Sequence, residues 1–146
     1  EPSLPCASIM NINHFSTPLS QAIILFAHGS SQSTWRAPFD DIAVRVQTLL
    51  AQSGQNTLVQ LAFLELMAPS IAQATHDLAK KGVRDIHIVP LFFGVGKHIA
   101  QDLHGIVDDV CAQHPQVRIQ IAAALGQSEF MRQAMAEYAF QALHDS

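Results

Sequence analysis

The chain has 146 residues, of which 49% are hydrophobic and 14% are charged, and its formal net charge is −4. This is the length of a single domain, and so much apolar surface excludes an intrinsically disordered chain. The negative charge argues against a nucleic acid partner held by bulk charge. The longest unbroken apolar run, Ala22–Ala27, is far shorter than the ~20 residues that a membrane-spanning helix needs, so no membrane association is expected.

The first 20 residues carry no Lys or Arg and lack the apolar stretch of a signal peptide. We predict a flexible N-terminal arm over residues 1–20 and one folded domain over residues 21–146. Cys6 and Cys111 lie far apart and form no CxxC motif. Their spacing favours reduced thiols in a cytoplasmic protein.

Strand and helix patterns alternate along the folded domain. Ala22–Ala27 is a continuous apolar run, typical of a strand that is buried on both faces of a parallel sheet. The helix after it carries an apolar stripe that includes Leu49, and it ends at Ser53-Gly54. The same reasoning predicts further strands at Thr57–Leu64, Asp85–Leu91 and Val117–Ala123, and further helices from Pro69 to Gly82, from His98 to Cys111 and from Ser128 to Leu143.

This βαβαβαβα order predicts the fold class. Parallel strands joined by helical crossovers form an α/β fold with an open, four-stranded parallel sheet and helices on both faces. In such sheets, ligands bind beyond the carboxyl ends of the strands. His28 follows the first strand, Glu65 follows the second, and His98 follows the third after a glycine-rich turn. We therefore expect these three side chains to meet at one edge of the sheet.

Two imidazoles and a carboxylate in one cleft can bind a divalent metal ion or move protons. Two of the residues also have a plain structural interpretation, since His28 could hydrogen-bond to its own loop and His98 could be an ordinary residue at a helix start. Glu65 interrupts an apolar stretch, where a carboxylate is costly unless it is paired, and this favours a function. The sequence contains neither a nucleophile elbow nor a G-x-G-x-x-G phosphate loop.

Four segments of the predicted domain form an ordered set: His28–Ser30, Phe63–Glu65 followed by Pro69-Ser70, Val89–Phe92, and Gly96–His98 followed by Asp102-Leu103. Together they resemble the small class II chelatases, the CbiX/SirB-type sirohydrochlorin chelatases. The resemblance covers about residues 22–143, nearly the whole predicted domain. The sequence departs from the family at Ser31, where relatives often carry Arg.

The resemblance implies a lyase that inserts Co²⁺ or Fe²⁺, or Ni²⁺ in some archaeal members, into sirohydrochlorin during cobalamin or sirohaem biosynthesis. The catalytic and metal-handling residues of the family would fall on His28, Glu65 and His98. The metal ion is then a substrate, and no permanently bound cofactor is expected. Imidazole ligands suit these first-row metals but select poorly among them.

The substrate of such an enzyme carries many carboxylates, although the chain itself is acidic, so local side chains must bind it. We expect Arg36 and Lys97 to contact the carboxylates at the functional edge. The apolar segment Leu91–Phe93 and Val95 would contact the face of the macrocycle. The predicted substrate-binding residues are therefore Ser30, Arg36, Phe92, Val95 and Lys97.

Longer relatives contain two such halves that face each other across a cleft, whereas this chain holds one. A single four-stranded sheet cannot cover both faces of a macrocycle. This predicts a homodimer with the cleft between its subunits. Two other functions stay open: a non-enzymatic carrier of metal or tetrapyrrole with the same fold, and a flavodoxin-like small-molecule or signalling module. Multiple turnover would exclude the carrier, and failure to bind any tetrapyrrole would favour the signalling module.

Overall fold

The computed structural model of the protein describes residues 20–145, and its centre is one parallel sheet. The predicted open, four-stranded sheet of a small α/β domain is confirmed. The predicted arm over residues 1–20 falls almost wholly outside the described residues and stays a prediction. The strands are β1 (Gln21–Ala27), β2 (Thr57–Phe63), β3 (Asp85–Pro90) and β4 (Arg118–Ile121), in the order β2-β1-β3-β4.

One α-helix follows each strand, and two of the helix starts obey local sequence rules. The Ser70 side chain accepts a hydrogen bond from the Gln73 N–H, and the Gln73 side chain accepts one from the Ser70 N–H. The Ser128 side chain likewise accepts from the Met131 N–H. The helices are α1 (Ala37–Gln52), α2 (Ile71–Lys80), α3 (Lys97–Gln113) and α4 (Glu129–Ala142), with short 3₁₀ helices at Ser33–Arg36 and Leu125–Gln127. Among the helices of residues 20–145, none combines the length and the apolar character that crossing a bilayer requires.

Helices lie on both faces of the sheet, as predicted. One face packs against α1 and the other against α2 and α3, so the core has two layers. Leu49, expected on the apolar stripe of α1, is 65% exposed because it lies in the last turn of that helix, and this expectation is wrong. The buried sheet residues are Leu25, Ala27, Leu61 and Phe63 on the α1 face, and Ala22, Ile24, Phe26, Ala62, Ile86 and Ile88 on the opposite face.

The last helix, α4, joins neither layer. None of its residues is buried, and within residues 20–145 its only extensive contact is with the 3₁₀ helix just before it. The α1 face of the sheet is left open over β4, because no β4 residue belongs to the apolar cluster beneath α1. Arg118 and Gln120 of β4 are exposed and point to this face, while the half-buried Ile119 and Ile121 point to the opposite face and pack on its apolar cluster.

Candidate active site

His28 lies directly after β1, at the carboxyl edge of the sheet, and a tryptophan fixes its backbone. The Trp35 indole N–H donates a hydrogen bond to the His28 carbonyl oxygen at 2.7 Å. The Ser30 hydroxyl oxygen accepts a hydrogen bond from the Gln32 N–H at 3.1 Å and shapes the same turn. Apolar periodicity does not show whether Trp35 is buried or exposed. Its hydrogen bond closes a turn, and turns have no apolar repeat in the sequence.

Glu65 reaches the same turn from the end of β2. Leu66 adopts a φ of 68°, a left-handed conformation that costs a leucine about 1 kcal/mol, and the Met67 N–H donates back to the Glu65 carbonyl oxygen at 2.8 Å. The Glu65 backbone passes so close to Gly29 that a Cβ at position 29 would lie 1.8 Å from the Glu65 carbonyl oxygen. Glycine is therefore required at this position.

The expected meeting of His28 and Glu65 is confirmed by a direct contact between their side chains. The His28 Nδ1 atom lies 3.0 Å from Glu65 Oε1, and the Gly29 N–H donates to Glu65 Oε2 at 2.8 Å. With an ionised carboxylate, Nδ1 is the donor, so a neutral His28 carries its lone pair on Nε2. Within residues 20–145 no protein group occupies that nitrogen. This is the arrangement in which a carboxylate orients an imidazole for a metal ion or a proton.

The electrostatics of the pair favour the ionised carboxylate. Desolvation acts to raise the pKa of Glu65, but the hydrogen bonds from the Gly29 N–H and the His28 ring, together with the attraction to His28, outweigh it. The pKa of Glu65 therefore lies below its ordinary value of 4.5. The carboxylate stays available as an acceptor at neutral pH.

The Phe92 ring packs against the His28 ring. Its ring centroid lies 4.6 Å from that of His28 and 5.4 Å from that of Phe26. The side chain is only 5% exposed, and its predicted contact with a substrate stays a prediction. The neighbouring Phe93 is 68% exposed and can make the apolar contact that the segment was predicted to provide. The direction in which the loop leaves β3 determines which of the two rings is buried and which is exposed.

His98 lies at the same edge but remains apart from the pair. It is the second residue of α3, after the turn that ends at Gly96, and its side chain is exposed. It makes no hydrogen bond or ion pair within residues 20–145, and these residues contain no group of three or more His, Cys, Asp and Glu side chains that could hold a metal ion. One copy therefore presents a joined His–Glu pair and a separate histidine.

The two predicted cations have different surroundings. The Arg36 guanidinium donates to the Asp40 carboxylate and to the Ala68 carbonyl oxygen, both at 3.2 Å, and lies over the Phe63 ring at 5.4 Å. Arg36 therefore ties the start of α1 to the turn after β2. Lys97, the first residue of α3, is exposed and has no ion-pair partner within residues 20–145. It is the cation that an anionic ligand can bind without breaking a contact.

A cavity of about 260 Å³ opens beside these residues, beyond the carboxyl ends of β3 and β4. Its lining includes the half-buried Val95 and the exposed His104, which the sequence analysis had not placed at the site. His104 lies six positions after His98 on α3, so helical spacing turns it away from that residue and toward a different part of the edge. The lining around it is mainly apolar.

Comparison with known proteins gives a consistent result. The family model described as CbiX matches residues 22–142. The chain is similar to the sirohydrochlorin cobaltochelatase of Sulfurisphaera tokodaii, with 31% identity over 124 residues that cover 85% of this chain and 95% of that relative. It is also 31% identical over 113 residues to the sirohydrochlorin cobaltochelatase of Saccharolobus solfataricus, covering 73% of this chain and 84% of the relative.

Two solved structures share the architecture. A CbiX protein of Marinobacter aquaeolei VT8, described as a protein of cobalamin biosynthesis, superposes with a TM-score of 0.72 at 28% identity, covering 86% of this chain and 99% of that one. The sirohydrochlorin chelatase SirB of Bacillus subtilis subspecies spizizenii, in complex with cobalt, superposes with a TM-score of 0.65 at 22% identity. That match covers 76% of this chain but 46% of SirB, and at this identity it supports the fold alone.

Proposed function

Because the chain belongs to the CbiX family, we propose that it is a sirohydrochlorin chelatase, an enzyme that inserts a divalent metal ion into a tetrapyrrole. The observation that carries the proposal is the contact between His28 and Glu65 at the carboxyl edge of the sheet. The names of the similar cobaltochelatases favour Co²⁺ as the metal and cobalamin biosynthesis as the pathway. Insertion of Fe²⁺ for sirohaem is the second candidate reaction.

The chemistry requires proton transfer, because two pyrrole N–H groups must lose their protons as the metal enters. Glu65 holds the Nδ1–H of His28, which leaves the Nε2 lone pair to accept a proton or to bind the arriving ion. Both Glu65 oxygens already accept hydrogen bonds, one from His28 and one from Gly29. We therefore assign Glu65 the role of positioning His28, and His98 that of a second base or metal ligand.

Substrate binding divides between charge and apolar contact. Lys97 is free to pair with a substrate carboxylate, while Arg36 is held by Asp40 and by the turn after β2. The exposed Phe93 and the half-buried Val95 precede Lys97 in the turn after β3 and would contact the macrocycle. In this assignment the acidic chain binds an anionic substrate through a local cation and a nearby apolar surface.

The second wall of the cleft would come from a second copy of the chain. His28, Glu65 and His98 all lie at one edge of a single sheet, which leaves a bound macrocycle open on its other side. A cytoplasmic location, which the spacing of the two cysteines favours, stays a prediction.

The test is an anaerobic insertion assay that follows the absorbance of sirohydrochlorin with Co²⁺, Fe²⁺ or Ni²⁺. Sirohydrochlorin in large excess over protein separates catalysis from stoichiometric carriage. We expect His28→Ala to lower the rate by about 10²–10⁴-fold, because it removes the group that accepts the proton. His144→Ala, just beyond α4, is the matched control and should keep the wild-type rate. Wild-type rates in both His28→Ala and His98→Ala would show that the site is wrongly assigned.

A further inference from the structure

We propose that His76 and His114 form a second metal-binding site, which holds one divalent ion between α2 and α3. The site is separate from His28, Glu65 and His98, so the inference goes beyond the proposed function and does not rest on it. The ion belongs to the class that imidazole nitrogens prefer, the later first-row metals such as Co²⁺, Ni²⁺ and Zn²⁺.

The two imidazole rings come from different helices and meet at the surface of the layer that α2 and α3 form. His76 lies in the middle of α2, and His114 directly follows the last residue of α3. Their ring centroids are 5.6 Å apart, and the ring planes are inclined by 49°. The residues are distant in sequence, so the packing of the two helices brings the rings together.

The distance between the rings suits two imidazoles that share one ion. A metal ion of this class lies about 2.0–2.1 Å from a ligating nitrogen, and that nitrogen lies about 1.1 Å from the centre of its ring. At the angles of octahedral or tetrahedral coordination, two such ring centroids are about 4.5–5.2 Å apart. The observed 5.6 Å is close to this range, and a small rotation of the exposed His76 side chain closes the difference.

Both rings are available to a metal ion. His76 is exposed and His114 is half-buried, and within residues 20–145 neither ring makes a hydrogen bond or an ion pair. A neutral imidazole binds metal through its unprotonated nitrogen, so no existing bond has to break first. The chain contains eight histidines, and the candidate active site accounts for His28 and His98 but not for this pair.

The surroundings of the pair make it a site for an exchangeable ion. Residues 20–145 contain no group of three or more His, Cys, Asp and Glu side chains that could hold a metal, so water completes the coordination. Structural metal sites usually have four protein ligands, whereas sites with fewer keep open positions. Lys80 lies one helical turn after His76, and its exposed ammonium opposes a bound cation. The pair therefore binds its ion reversibly.

A shared ion joins two helices that both lead away from the candidate active site. The helix α2 follows the turn after Glu65, and α3 begins with Lys97 and His98. The pair is assembled in the folded chain and not in the unfolded chain, so a bound ion stabilises the fold by mass action. The stability of the folded chain therefore reports whether the pair is occupied, without any measurement of insertion.

The first test measures Ni²⁺ binding by titration calorimetry in the chain of 146 residues, without a polyhistidine tag. His28→Ala and His98→Ala are present throughout, and this background chain removes the metal ligands of the candidate active site. We expect one ion per background chain. Adding His76→Ala or His114→Ala should lower the affinity on the order of a hundredfold, because either change leaves a single arm of a two-armed site.

His144→Ala is the matched control for these variants. This histidine follows α4 and packs on Phe140, with no second histidine beside it, so its loss should leave the affinity unchanged. Absence of Ni²⁺ binding by the background chain would overturn the proposal. An affinity that His76→Ala leaves unchanged would overturn it as well.

A second measurement compares each variant with itself, so a variant of lower stability does not spoil it. Thermal midpoints are recorded with and without Ni²⁺ at about a hundredfold excess over the dissociation constant. We expect a rise of roughly 5–10 °C in the background chain and almost none after adding His76→Ala or His114→Ala. An equal rise in all of these chains would place the ion elsewhere and overturn the proposal.

Both measurements are made without sirohydrochlorin, which separates this proposal from the chelatase reaction. A wild-type chain that binds Ni²⁺ at His76 and His114 but inserts no metal would contradict the proposed function and leave the second site standing. A chain that inserts metal normally, and whose Ni²⁺ affinity is the same with and without the pair, would contradict the second site alone.

Discussion

The carboxyl edge of the sheet contains two regions that differ in how well they are fixed. At the β1–β2 corner, Trp35 donates a hydrogen bond to the His28 backbone and Glu65 accepts one from its ring, while the Gly29 N–H donates to the Glu65 carboxylate. At the turn after β3, Lys97 and His98 are exposed and make no hydrogen bond or ion pair within residues 20–145. The comparison indicates that one half of the site exists before any ligand arrives, while the other half gains its partners only on binding.

The substitution expected to disrupt the first region, the corner that holds His28 and Glu65, most strongly is Gly29→Ala. The added Cβ would lie 1.8 Å from the Glu65 carbonyl oxygen, a backbone atom that cannot move away cheaply. We expect the free energy of unfolding to fall by about 3 kcal/mol, as for overpacked interiors, and the insertion rate to fall with it. Denaturant unfolding checks the first effect.

Gly105→Ala is the control for that substitution. Gly105 lies inside α3, and a Cβ there meets nothing within 4 Å. This variant should gain roughly 0.5–1 kcal/mol, because alanine is the better helix former. Equal stability of the two variants would show that the close approach at Gly29 carries no structural cost.

The next largest effect is expected from Glu65→Gln, which keeps the shape of the side chain but removes its charge. We expect a loss of about 10- to 100-fold in insertion rate, the usual effect of removing a carboxylate that orients a metal-binding imidazole. Glu65→Asp keeps the charge but shortens the reach, so the pair of variants separates the two contributions. A wild-type rate in both would remove Glu65 from the mechanism.

The second region is tested with Lys97→Gln. A single exposed ion pair is worth up to about 1 kcal/mol, so we expect KM for sirohydrochlorin to rise about fivefold with kcat unchanged. The difference should shrink as salt is added, because exposed charges are screened. Lys80→Gln, at the end of α2, is the control and should leave KM unchanged. A salt-independent change would contradict a charge contact.

The smallest effect concerns pH. The pKa of Glu65 is lowered in the folded chain, so its contribution to stability is present above its ordinary value of 4.5 and is lost as the pH falls through the lower, folded value. The Glu65 side chain is 43% exposed, and solvent screening keeps this contribution small. Thermal midpoints measured against pH should therefore fall slightly less steeply on the acid side in Glu65→Gln than in the wild type. A steeper fall in the variant would contradict the sign.

The fold and the His–Glu pair were accessible from the sequence because both follow from periodicity. Apolar runs of strand length fixed the order of elements, and parallel strands bring His28 and Glu65 to one edge whatever the detail of their loops. The polar residue in an apolar stretch was the useful signal at Glu65. In the structure the Glu65 side chain is 43% exposed, so its hydrogen bond from the Gly29 N–H reflects the close approach of the two turns and not the burial of a charge.

The features that the sequence did not predict depend on tertiary contacts, and these contacts leave no repeating pattern in the sequence. Whether Phe92 or Phe93 is buried depends on the path of one loop, and Arg36 is held by a carbonyl oxygen from the turn after β2. His98 follows a turn long enough to keep it apart from the pair. The pattern of α4 predicted a helix, but a chain considered alone offers no surface against which its apolar residues could be assigned.

The hydrogen bond from Trp35 to the His28 carbonyl oxygen provides an optical probe of the site. The sequence contains a single tryptophan, so all of the intrinsic indole emission comes from this turn. A paramagnetic ion such as Co²⁺ that reaches His28 would quench that emission. Metal arrival can thus be followed by fluorescence in the unlabelled protein, separately from the colour change of the tetrapyrrole.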